Sequence, residues 1–120
     1  MSDKAQELRD RTKNFALRVI RLFRALPRTG DAQVMGKQLL RSGTSVAANY
    51  RAACRSRSRA EFLSRLSIVL EEADESALWM ELLIESGTVK KEKSEPLLAE
   101  ARQLTAIFTA ATGTIRKTKI

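Results

Sequence analysis

Arg51, Arg55, Arg57 and Arg59 follow one another at spacings of two or four residues within RSGTSVAANYRAACRSRSRAEF, residues 41–62. A guanidinium group offers a planar fork of donors that grips phosphate bidentately, and it keeps its charge at neutral pH. The chemistry these residues can do is therefore the binding of a polyanion. On a helix advancing about 100° per residue from Lys37, Arg41, Arg51, Arg55 and Arg59 all fall within roughly 40° of that lysine. Met35, Leu39, Val46, Tyr50 and Ala53 fall roughly 160–220° away, on the opposite side. Thr44 and Ala48 lie within the basic stripe and keep it low. Arg18, Arg21, Arg24 and Arg28 repeat the theme upstream, on the side away from Phe15 and Val19. The candidate nucleic-acid-binding residues are therefore Arg18, Arg21, Arg24, Arg28, Lys37, Arg41, Arg51, Arg55, Arg57 and Arg59.

Competing uses for these charges exist. A basic helix face is often only a solvated surface, but few acids are interleaved here to neutralise it through i,i+4 pairs. The carboxylates of Glu71, Glu72, Asp74, Glu75, Glu81 and Glu85 offer partners within the chain or in another subunit. No Glu-x-x-His motif accompanies them, so no metal is expected there. The sequence contains no histidine at all, which removes the usual acid–base catalyst and the commonest metal ligand. Neither catalytic residues nor a cofactor is expected. Aromatic residues are few and mostly assigned to the core, which argues against sequence-specific reading of a single strand.

Net charge is +8 over 120 residues and is unevenly spread. Residues 1–30 carry eight basic and three acidic side chains, and residues 31–60 carry six and one. Residues 61–90 reverse the sign, with two basic and seven acidic. Such a field attracts polyanions and can also join subunits. The single cysteine, Cys54, excludes an intrachain disulfide and reads as a small packing residue, which fits a reducing cytoplasm. The polar N-terminus has no signal-peptide pattern, and no apolar run reaches the ~20 residues that span a bilayer.

Four helices must position these groups within one domain, residues 1–120. Leu8, Phe15, Val19, Leu22 and Leu26 form one stripe over residues 5–26, ended by Pro27 and Gly30. The second helix runs from Asp31, as N-cap, over residues 31–57. Ser58 and Glu61 form a capping box for a third helix over residues 59–87, which stops at Gly87. The fourth covers residues 94–116, because Pro96 is tolerated only in a first turn. Short connections make an all-α, antiparallel up-down-up-down four-helix bundle the simplest fold. The third helix carries more apolar surface than one bundle face can bury. Ile68, Leu78, Trp79 and Leu82 therefore mark an oligomer interface, with Trp79 draping over a neighbouring helix of its own subunit as the alternative. Gly43 and Ala47 permit close helix approach within or between subunits, and Asn49, a poor helix former, is expected to hold a buried or interfacial hydrogen bond.

SGTSVAANYRAACRSRSRAEF (42–62) followed by LSIVLEEADESALWMELLIESG (66–87) resembles the four-helix bundle proteins of the 23S rRNA intervening-sequence family. Relatives of that family include the accessory variability determinants of diversity-generating retroelements. The resemblance implies a small basic bundle that forms a ring-like homopentamer without catalytic activity. In the retroelement branch it also implies binding to nucleic acid and to a reverse transcriptase. Arg51, Arg55, Arg57 and Arg59 match the basic positions of the motif, and Asn49 and Tyr50 its polar–aromatic pair. Ala52 stands where many relatives carry a carboxylate, and Leu78 where they carry an aromatic. The expected function is a non-enzymatic oligomeric scaffold for RNA or an RNA–DNA hybrid. The alternative is an adaptor whose charged faces serve protein assembly.

Overall fold

Apolar residues at helical spacing line four faces that have only one another to pack against, and the chain closes around them. The computed structural model describes residues 3–117. They form α1 (Asp3–Arg24), α2 (Gly30–Ala53), α3 (Arg59–Glu85) and α4 (Lys91–Lys117). Each helix packs against the next, and α4 returns to α1 along the thinnest of the four seams, giving an antiparallel bundle of 49 × 22 × 22 Å. Phe15, Val19, Leu39, Val46, Leu66, Val69, Met80, Leu83, Leu104 and Phe108 are buried along its axis. Among the described residues, no helix is long and apolar enough to cross a membrane.

The turns follow their local chemistry, with four differences from the sequence expectation. Ser58 caps α3 by accepting from the Glu61 N–H at 3.1 Å, but the Glu61 carboxylate turns to Arg65 at 3.2 Å. Gly87 has φ +78°, a left-handed conformation that closes α3 while the Thr88 N–H reaches the Leu83 carbonyl at 3.0 Å. Thr29, not Asp31, occupies the N-cap of α2; Asp31 lies in the first turn and accepts from the Ala32 N–H at 2.9 Å. α2 ends at Ala53, so Arg55 and Arg57 belong to the turn. α4 begins at Lys91 and accommodates Pro96 in its second turn, where one ladder hydrogen bond is missing.

Small residues of α2 settle the closest helix approaches. A Cβ on Gly43 would lie 2.8 Å from Val19 Cγ2 and 3.1 Å from Val19 Cβ, so the glycine lets α1 and α2 touch. On the other flank Ser42 and Ser76 are fully buried, and the Ser76 hydroxyl donates to Ser42 Oγ at 2.9 Å across the α2–α3 seam. Ser42 in turn donates to the Leu39 carbonyl at 3.3 Å, so neither polar atom is stranded.

Candidate nucleic-acid interface

The last two turns of α2 and the turn that follows bring the basic residues together. Two adjoining depressions flank this end of α2. One, of about 670 Å³, is lined by Ala48, Arg51, Ala52, Arg55, Arg57, Glu61 and Arg65. The other, of about 470 Å³, lies between α1 and α2 and is lined by Gln6, Arg9, Asp10, Lys13, Thr44, Ala47, Ala48, Arg51 and Arg55. Ala48, Arg51 and Arg55 border both, so the two form one trough. Its floor is low because exposed positions of α2 carry alanine, and the guanidinium groups rise on either side.

No ion pair engages Arg51, Arg55 or Arg57 among the described residues. Arg51 lies in the last turn of α2, where the helix dipole favours a cation. Arg59 opens α3, where the dipole favours an acid instead. Basic residues at that helix start add to the positive field of the N-terminus, which is the arrangement an anion seeks.

Other candidates are placed differently. Arg41 is committed within the chain: it pairs with Glu72 at 3.0 Å and with Glu75. The stripe opposite the core is therefore interrupted, and Arg41 is removed from the free basic set. Glu75 also accepts from the Trp79 indole N–H at 3.1 Å. That bond first, and Arg41 second, hold its carboxyl below the usual carboxylate range against a desolvation effect in the other direction. Arg18 and Arg21 border a separate groove of about 310 Å³ with Leu22, Lys93 and Leu97 on the α1–α4 side. Arg24, Arg28 and Lys37 are exposed outside both basic depressions.

The residues expected at an oligomer interface also divide. Ile68, Leu78 and Leu82 remain 40%, 47% and 40% exposed on the outer side of α3. Trp79 packs part-buried against the core instead, and Gly43 is spent inside the subunit against Val19. Each thus has a partner within its own subunit, which is the alternative the sequence left open for it. Ala47 is half-buried beside α1 in the trough. Asn49 bonds back to the Ser45 carbonyl of its own helix at 2.9 Å. Tyr50 is buried with its ring 5.4 Å from that of Phe108. Burial first, and the neighbouring Cys54 thiol second, push its phenol well above the ordinary value.

Three basic residues of the trough escaped the sequence reading. Arg65 stands one turn after Glu61, a pairing visible in principle from i,i+4 spacing. Arg9 and Lys13 share a face of α1 at the same spacing, but only antiparallel packing carries them to the far end of α2.

Fold and surface together define an all-α bundle with a basic, aromatic-free trough at one end. A family model for 23S rRNA-intervening sequence protein matches residues 4–110, and the chain belongs to that family. It is also similar to a crystal structure of a protein of unknown function from the S23 ribosomal protein family of Bacteroides thetaiotaomicron. That likeness has a TM-score of 0.84 and 34% identity, covering 92% of this chain and 98% of the other. No curated protein matches the sequence.

Proposed function

We propose that this chain is a non-enzymatic RNA-binding scaffold that works as a homo-oligomer. The observation that carries the reading is the unpaired trio Arg51, Arg55 and Arg57 around a floor of Ala48 and Ala52. Arginines without acidic partners keep their full charge for phosphate, and the 23S rRNA-intervening sequence family makes RNA the polyanion of choice. Self-association rests on the exposed Ile68, Leu78 and Leu82, which share one side of α3. A five-membered ring, an RNA–DNA hybrid ligand and a reverse transcriptase partner rest on the family resemblance alone, and a cytoplasmic setting on the lone cysteine.

Light scattering of the purified protein, with and without RNA at low and moderate salt, tests the reading. An oligomer that takes up RNA at low salt and releases it at moderate salt is the expected result. Leu78→Glu with Leu82→Glu should lower the mass of the protein particle while preserving helicity by circular dichroism. A wild-type monomer would refute self-association. An oligomer that ignores RNA at every salt would transfer the arginines to a protein partner and make the chain an adaptor.

A further inference from the structure

The lining of the basic trough contains something more specific than charge. Its two depressions hold arginines, a lysine, a threonine, a glutamine, two acids and alanines, with no aromatic residue and no apolar side chain larger than alanine. The acids are occupied: Glu61 with Arg65, and Asp10 with the Gln6 side-chain amide at 2.9 Å. The aromatics that a splayed base would stack upon lie elsewhere. Tyr50, although adjacent to Arg51 in sequence, is buried against Phe108, and Phe62 and Trp79 pack against the core. Single-stranded RNA is held mainly by stacking its bases on aromatic platforms, whereas double-stranded RNA turns its bases inward and offers phosphates and 2′-hydroxyls. A trough that can grip phosphates but cannot stack a base suits the second kind of ligand.

The positions of the cations support the same conclusion. Arg51 is held by the last turn of α2 and Lys13 by the middle of α1, two helices packed directly together. Helix-borne charges have fixed spacing, which matches a regular backbone better than a flexible one.

From this lining we infer that the ligand of the trough is a base-paired segment of RNA, bound through its backbone and without regard to sequence. The inference rests on the RNA-binding reading above and specifies its substrate.

The test compares a blunt RNA duplex of about 20 base pairs with one of its strands, chosen to be unstructured, by fluorescence anisotropy. The duplex should bind on the order of tenfold more tightly, and a second duplex of scrambled sequence should bind equally well. Five trough cations without an ion pair among the described residues, Arg9, Lys13, Arg51, Arg55 and Arg57, predict that log K falls with log salt at a slope of about −4.5. Between 50 and 200 mM salt that slope is a loss of about 500-fold. Ala48→Trp, on the exposed floor, supplies the missing stacking platform and should shift the preference toward the single strand. Equal or tighter binding of the single strand by the wild type would overturn the duplex inference while leaving RNA binding intact. Binding of neither would overturn both.

Discussion

Arg41, on α2, and Arg55, in the turn just beyond its end, are both solvent-exposed, and they do opposite things. Arg41 is drawn across the α2–α3 seam onto Glu72 and Glu75, and its charge is consumed within the bundle. Arg55 stands beyond the end of α2 with Arg51 and Arg57, where α3 offers arginines and a single glutamate that Arg65 already holds. The acids of α3 begin in earnest at Glu71, too far along the bundle to reach that end. Charge on a surface helix is thus apportioned by what the facing helix carries at the same height, and the end of α2 that faces few acids stays open to an external anion.

Removing each class of arginine in turn separates their roles. Arg51→Ala with Arg55→Ala and Arg57→Ala should weaken RNA binding on the order of 100-fold at low salt, as three charge-assisted contacts are lost. Arg41→Ala in the same assay should change affinity less than twofold. Equal losses would show that ion pairing in the bundle does not withhold Arg41.

The small residues of α2 divide in the same manner, inner from outer. Gly43→Ala should cost about 1–2 kcal/mol in urea unfolding, because the new methyl meets the stiff, branched Val19 side chain even after the gain in helix propensity. Gly36→Ala should cost less, since the atoms it meets are the ends of Leu26 and Phe23 side chains, which can move. Ala48→Leu, outside, should leave stability within about 0.5 kcal/mol.

Freeing Arg41 sharpens the contrast further. Glu72→Gln with Glu75→Gln should add one available cation, steepening the salt slope by about 0.9 and raising RNA affinity several-fold. An unchanged slope would indicate that Arg41 lies outside the footprint even when unpaired.

The smallest effect is a titration. Trp79 is the one tryptophan of the chain, and its indole N–H donates to Glu75. Because the folded-state pKa of Glu75 is depressed, its contribution to stability is complete above the ordinary carboxylate value and is lost as pH falls through the lower folded value. Tryptophan emission should therefore change in acid with a midpoint below the usual carboxylate range. Arg41→Ala should move that midpoint up only part of the way, because the Trp79 bond is the larger cause.

Much of the fold was legible from local signals. Phe15 and Val19, four residues apart, specify the buried side of α1; Ser58 and Gly87 mark the two ends of α3 through a cap and a positive φ. The errors at the ends of α2 and the start of α4 involved one to four residues, where turn geometry and helix propensity compete closely. The candidate site was legible as a set of arginines but not as a surface. Arg9 and Lys13 were passed over because their significance depends on α1 running antiparallel to α2. Trp79 was placed on the outer side of α3, although Glu75, which accepts from its indole N–H, stands four residues earlier at a spacing that makes the two neighbours on the helix.

The sequence by itself determined that this protein is four amphipathic helices with a basic first half, since periodicity, caps and stops act within a few residues of one another. It also determined which side chains could meet phosphate. Tertiary structure alone decided which of them are left to do so. The partners of Arg41 are 31 and 34 residues away, and the residue that Gly43 admits, Val19, lies on another helix. Pairing and close packing are fixed by distance in space, which the chain settles only when its helices come together.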